Sequence, residues 1–358
     1  MKVSGNMELN EFEKKVLKTI EKNNLIEKGD KIVLAVSGGP DSISMLNCLY
    51  KICKMSPAPF ASLVVAHVNH MIREEARGEE QFVKNFCKEK NIEFFSKRID
   101  VAKFANNSKI GLEEAGRIVR YNFFDEILEK TGANKIAIAH NKNDKVETMI
   151  MNVFRGSGLS GLKAIEPRRD RYIRPLIDCE RQEIEKYCKE ENLNPRIDKT
   201  NFENIYTRNK IRNIVIPYVK ENFNPNFIET MDRLSILVRE LDDYMTEVVE
   251  KKYHQMLINE TCSFKQDQMT SCKTSPAPNA TQIVLDLRKF NDEEKVIKSR
   301  IVLYTITRLF GSSNDIEMIH VEDIIKLCSN NIGNKYLTPN KNIKVLVKNH
   351  KIYFIKQG

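Results

Sequence analysis

The sequence predicts an α/β fold: a doubly wound, mostly parallel sheet, followed by a helical linker and a small α+β C-terminal domain. Three observations carry this expectation. Over the first two hundred residues, short apolar runs alternate with amphipathic segments, the pattern of strands joined by crossover helices. From 226 to 259 apolar residues recur at helical spacing in a charged background. Beyond about Ile283, helical stretches precede two alternating apolar runs.

Four strands are expected in the first part, at 31–36 (KIVLAV), 62–67 (SLVVAH), 92–98 (IEFFSKR) and 135–140 (KIAIAH), with helices near 41–54, 76–90 and 112–129. The charged helix at 226–259 bridges to the tail. The stretch 261–281, polar and carrying Pro276 and Pro278, reads as a flexible linker. In the tail, helices at 292–310 and 320–328 precede strands at 344–347 and 352–355. A chain of 358 residues is too long for one ordinary domain. The expected division is 1–217, 218–282 and 283–358.

Composition narrows the function classes. With 41% hydrophobic and 30% charged residues the chain reads as globular rather than disordered. A formal charge of +9 favours polyanionic partners, nucleic acid first. Lys335, Lys341, Lys344, Lys348 and Lys351 make the tail basic, suited to phosphates. No apolar run approaches a membrane helix, and the start lacks a secretory core, so a cytoplasmic protein is expected. The eight cysteines contain no Cys-x-x-Cys pair, so they read as reduced thiols rather than zinc or cluster ligands.

The run AVSGGPDS, 35–42, follows an apolar strand and opens a helix. Gly38 and Gly39 let the backbone approach a ligand, and amides at the helix start offer an anion nest. Ser37 and Ser42 add hydroxyls, with Pro40 between the glycines and Asp41. Asp41 is awkward beside bare phosphate and becomes useful where Mg2+ bridges it to a nucleotide. The lysine of a Walker loop and the spacing of a dinucleotide fingerprint are both missing from this run. A plain Gly-Gly turn with a serine cap is the bland alternative.

Three further blocks follow. AHVNHMIREEARGEE, 66–80, puts His67 and His70 at the carboxyl edge of the sheet. GLEEAGRIVRY, 111–121, sets Arg117 and Arg120 on one helix face, able to grip one polyanion. AHNKNDKVETMIMNVFRGSGLSGL, 139–162, projects the carboxylates of Asp144 and Glu147 together, where they could hold an ammonium group and assist its deprotonation. Each block has a bland reading, as a structural histidine, a salt-bridged face or acidic decoration of a helix start.

The SGG-x-D-S loop resembles that of the ATP-pyrophosphatase (PP-loop) superfamily, with its adenine nucleotide alpha hydrolase-like domain. The ordered series of blocks, continued by RPLID at 174–178 and RNKIR at 208–212, resembles the tRNA(Ile)-lysidine synthetases. The likeness runs from about Lys31 to Pro217 and extends more loosely into the tail, whose HVEDIIKL resembles the family's tRNA-recognition module. Two departures stand out: Asn143 where many members carry an aspartate, and Ile118 where a second arginine is common.

The resemblance implies an enzyme, an ATP-dependent carbon–nitrogen ligase. ATP adenylates the C2 oxygen of cytidine at the first anticodon position of tRNA(Ile), and the ε-amine of free lysine displaces AMP. It implies that Ser37, Gly38, Gly39, Pro40, Asp41 and Ser42 hold the nucleotide, and Asp41 the metal. Asp144 and Glu147 recognise lysine, with Arg117 a catalytic residue. His67, Arg120, Arg155, Arg208 and Arg212 are expected to meet lysine, nucleotide or tRNA. A homodimer stays open. The alternatives are a tRNA thiolase of the same superfamily, an amidating synthetase for a small metabolite, and a non-catalytic tRNA-binding protein.

Overall fold

The apolar run after Gly29 becomes β1 (Asp30–Ala35), the centre of a six-stranded sheet in the computed structural model, which describes residues 8–55, 61–69, 71, 76–196, 206–262, 280–313, 316–330 and 335–357. On one side β1 pairs in parallel with β2 (Ala61–Asn69), which in turn pairs with β3 (Glu93–Arg98). On the other side it pairs in parallel with β4 (Lys135–Ile138). Two short strands complete the sheet, β5 (Arg168–Arg169) antiparallel to β6 (Tyr172–Ile173), in the order β3-β2-β1-β4-β6-β5.

Strand alternation decides which residue meets which layer. Ile32 and Leu34 face a core shared with α1 (Glu11–Lys22), α2 (Pro40–Met55), α3 (Ala76–Lys90) and α8 (Arg181–Glu190), through Val16, Leu46, Val83 and Tyr187. Val33 and Val64 face the opposite layer, of α4 (Val101–Ser108) and α5 (Leu112–Thr131), with Val119, Phe123 and Ile127. Burial on both faces explains why these strands read as continuous apolar runs. Because the chain leaves β1 for β2 on one side and later returns to β4 on the other, the carboxyl ends of β1 and β4 flank a topological switch point.

Past β4 come α6 (Lys142–Phe154), α7 (Leu159–Leu162) and, after α8, α9 (Thr207–Lys210), a π-helical turn at Ile211–Val215 and α10 (Ile216–Asn222). The long helix α11 (Phe227–Met256) follows, and the chain forms two compact units, Met1–Arg239 and Glu240–Gly358, that divide within it. The divisions expected from the sequence lie near 217 and 282.

The second unit is an antiparallel sheet of β7 (Leu257–Cys262), β8 (Ala280–Asp286), β9 (Lys335–Asn340), β10 (Ile343–Lys348) and β11 (Lys351–Lys356), in the order β7-β8-β11-β10-β9. Val249, Tyr253 and Met256 of α11 share its core with α12 (Leu287–Asn291), α13 (Lys295–Phe310) and α14 (Met318–Ser329). The long helix stops at Met256 rather than Asn259 because the next residues pair with β8, Leu257 opposite Leu285. The linker's ends, 261–262 and 280–281, lie in strands of this sheet, and 263–279, with Pro276 and Pro278, lies outside the described residues.

Candidate active site

Gly38 takes φ of +97°, open to glycine and strained for other residues, and turns the chain from β1 into α2. The loop closes on one hydroxyl. Ser42 Oγ accepts from the Ser37 and Gly38 amides at 3.2 Å each and donates to the Gly39 carbonyl at 3.0 Å, while Ser37 Oγ lies 3.1 Å from it. Gly39 N–H donates to Ser37 Oγ at 3.4 Å. The loop amides therefore converge on small hydroxyls, the arrangement of an anion nest. Pro40 begins α2, and its carbonyl accepts from the buried Cys188 thiol at 3.7 Å.

Asp41 stands in the first turn of α2, its side chain 27% exposed. Asn141 Nδ2 donates to Asp41 Oδ1 at 2.9 Å, and Arg181 comes no closer than 3.8 Å. Burial, then the nearby charge of Asp144, pushes the Asp41 carboxyl up to about 6 against the opposing pull of Arg181. Its countercharge is the looser one of Arg181.

Asn141 is fully buried and joins the two halves of the site. As N-cap of α6 its Oδ1 accepts from Asp144 N–H at 3.0 Å, and Asp144 Oδ2 returns an acceptor to the Asn141 amide at 3.1 Å, a reciprocal capping box. Asp144 is thereby fixed in the first helical turn, with Glu147 one turn on.

Both carboxylates are buried, Glu147 only 1% exposed, and both are answered by arginine. Arg208 donates to Glu147 Oε2 at 2.8 Å and to Asp144 Oδ1 at 2.9 Å. Arg212, from the π-helical turn, donates to Glu147 Oε1 at 2.6 Å and Asp144 Oδ1 at 2.9 Å. Burial alone would raise Asp144, but Arg208, His140 and Arg212 hold its carboxyl below the usual range. His140, largely through burial, is lowered to about 4 and is neutral at pH 7; its Nδ1 accepts from Arg174 Nε at 3.2 Å.

The opposite face of α6 is clamped. Lys145 bonds Asp232 at 2.6 Å with both side chains buried, and Lys142 bonds Glu229 at 2.7 Å. Both partners lie in the first turns of α11. Asn143 Oδ1 accepts from Arg181 N–H at 3.0 Å, tying the first turn of α6 to the start of α8. A cavity of about 580 Å³ opens beside Glu147 and Arg212, with Asn143, Arg181, Ile216 and Lys220 also on its wall.

The structure thus brings Ser37–Ser42, Asp41, Asp144, Glu147, Arg208 and Arg212 into one region. Arg208 and Arg212, expected at phosphate from arginine density alone, are turned onto buried carboxylates, which need countercharge more than solvent does. Arg117 is exposed, its guanidinium 5.1 Å from the Tyr121 ring centre, and its charge together with that of Arg208 is felt at His140. Arg120 donates to its own helix at the Gly116 carbonyl, 3.2 Å away. His67 is buried at the end of β2, with Nδ1 2.9 Å from the Val36 carbonyl and Nε2 unpartnered among the described residues. His70 and residues 198–205 lie outside the described residues. Arg155 caps the far end of α6, away from the loop.

Sequence reasoning passed over Asn141, His140, Arg174 and Arg181. An asparagine followed three residues later by aspartate at a helix start is a capping signal that would have marked Asn141. Among the described residues no group of three or more His, Cys, Asp or Glu is placed to hold a metal, and no helix is long and apolar enough to cross a membrane. Among the described residues six cysteines are free and buried.

The family described as PP-loop domain matches residues 8–219. A tRNA(Ile)-lysidine synthase from Clostridioides difficile (strain 630) is 43% identical over 340 residues, covering 94% of this chain and 69% of the relative. One from Clostridium acetobutylicum is 42% identical over 327 residues, covering 91% and 66%. The chain thus spans about two thirds of these relatives' length. Among solved structures, the U34-tRNA thiolase NcsA from Methanococcus maripaludis superposes with a TM-score of 0.52 at 20% identity, covering 63% of this chain and 78% of its own, a likeness of fold.

Proposed function

Since the chain belongs to the PP-loop domain family and to the tRNA(Ile)-lysidine synthases within it, we propose that it joins the ε-amine of lysine to C2 of the cytidine at the first anticodon position of tRNA(Ile), using ATP. The observation that carries this reading is the Asn141 bridge, which holds Asp41 of the phosphate loop and Asp144 of α6 on one side chain. A loop suited to phosphate and a pair of acids suited to an amine are thereby neighbours.

In this reading the amides of Ser37, Gly38 and Gly39 turn from their hydroxyl partners to the phosphates of ATP. Asp41 would suit Mg2+: it is a partly exposed carboxylate in the first turn after the phosphate loop, and magnesium is commonly held by one or two carboxylates together with substrate phosphates and water. When bound, the metal supplies charge neutralisation on the phosphates. Arg117 adds fixed positive charge near neutral His140, whose Nδ1 lone pair is taken by Arg174 so that its proton sits on Nε2 and can be donated. His67 Nε2 is a buried polar atom able to meet the nucleotide.

Asp144 and Glu147 receive the lysine ammonium, which competes with Arg208 and Arg212 for their oxygens. The amine must lose its proton before attacking, and a carboxylate within reach accepts it. The activated C2 oxygen then leaves with AMP. A thiolase reading calls for a reactive thiol, whereas burial pushes Cys179 up to about 12 and raises Cys188, which lies under the loop.

The test is direct: incubate the protein with ATP, magnesium, labelled lysine and tRNA(Ile), and weigh the anticodon nucleoside. A cytidine gaining a lysyl group is expected. Pyrophosphate release that needs a sulfur donor and ignores lysine would overturn the reading.

A further inference from the structure

The helix that carries Asp144 and Glu147 ends in an exposed aromatic side chain to which the reaction assigns nothing. Phe154 is 63% exposed, the last residue of α6. Seven residues after Glu147, it lies about two turns further on, hence on the same face, about 10 Å along the axis. One helix face therefore runs from the buried acids to an open ring.

A hydrogen-bonded loop follows the ring. Arg155 caps the helix, and Gly156 takes φ of +73°, turning the chain back. Ser157 N–H donates to the Asn152 carbonyl at 2.9 Å, and Asn152 Nδ2 donates to the Gly161 carbonyl at 2.7 Å. The residues from Val153 to Ser160 are all exposed. From Thr148 to Ile165 the chain carries Arg155 and Lys163 and no carboxylate side chain. An exposed phenylalanine beside an exposed arginine, in a stretch without acids, complements a polyanion that also presents flat apolar faces. Unpaired nucleotides have both.

Resting on the lysine-ligation reading, which brings an anticodon strand to the acids of α6, we propose that Phe154 is a stacking platform for an unpaired base neighbouring the modified cytidine, with Arg155 on the adjoining phosphate. A base placed there fixes how far the strand enters the site. Recognition by stacking tolerates any base, so the contact contributes affinity and register rather than sequence choice.

The experiment uses the full chain and a tRNA(Ile) transcript carrying 2-aminopurine beside the target cytidine. Wild-type protein is expected to quench the fluorophore on binding. F154A is expected to lose that quench and to weaken tRNA binding about tenfold, with the KM for lysine unchanged. F154W restores both and F154L, equal in apolar bulk, does not; that contrast separates stacking from simple packing. Full quench and wild-type affinity in F154A or F154L would overturn the proposal. So would an F154A protein that binds tRNA normally but changes its sedimentation, which makes the patch a protein contact. Lysine addition by wild-type protein is scored separately: its absence strikes the ligation reading, while quench and affinity still decide on Phe154.

Discussion

Two acidic regions of the site, separated by one asparagine, are built on opposite electrostatic plans. Asp41 has an amide donor and a distant guanidinium, and its carboxyl sits at about 6. Asp144 and Glu147, more deeply buried, are met by two arginines through hydrogen bonds of 2.6–2.9 Å, and Asp144 is held below its ordinary value. The contrast teaches that burial does not set protonation by itself; the presence of a countercharge does. Asp41 is prepared to receive a cation, whereas the α6 acids already hold theirs and can only exchange it.

The largest effect is expected at Asp41. Asp41→Ala should lower lysine addition at least about a thousandfold, the loss of several kcal/mol of charge stabilisation, while circular dichroism and tRNA affinity stay as in wild type. Near-normal turnover in that variant would remove Asp41 from the chemistry. Breaking the compensated region should instead be felt in stability. Asp144→Asn leaves buried arginine charge unanswered and should destabilise by about 3–5 kcal/mol in urea unfolding at pH 7. Since Asp144 is depressed, its contribution is present above the ordinary aspartate range and fades as pH falls through the folded value, so the variant and wild type should converge in acid.

Asp41 has the opposite sign. Its raised carboxyl means that the folded state keeps a proton the unfolded chain has released, so its contribution is complete below the ordinary aspartate value and lost as pH rises through about 6. Without nucleotide or metal, Asp41→Asn should therefore be more stable than wild type above pH 6, by on the order of 2 kcal/mol, and no more stable near pH 4. Thermal melts across that range check it. A variant less stable at pH 8 would mean that Arg181 already balances the Asp41 charge.

Much of the fold was legible because burial leaves a local trace. Ile32, Val33 and Leu34 form an apolar run that a strand covered on both faces demands, and Gly38 marks the turn that follows it. β7 and β8 were less legible, since Leu257 continues the helical apolar pattern and becomes a strand only by pairing with Leu285. Within the site, Asp41, Asp144 and Glu147 stand at motif spacings that chemistry can interpret. The direction of Arg208 and Arg212 is a long-range matter: a guanidinium can face solvent, phosphate or carboxylate, and only the folded chain puts Glu147 within 2.8 Å. Asn143 was likewise conspicuous by type, while its work at the start of α8 needed the other helix in place.

The seam between β1 and β4 has a consequence for how the protein comes into being. Asp41 and Asn141 meet across 100 residues of chain, and the arginines that answer Asp144 lie more than sixty residues further on. A growing polypeptide can make the phosphate loop early, but its opposite wall waits for β4 to slot in beside β1 and for the π-helical turn to arrive. Such distant pairings are slow to form, so competence for chemistry should be among the last properties the first unit acquires, and a fragment ending before Arg212 should have the loop without the enzyme.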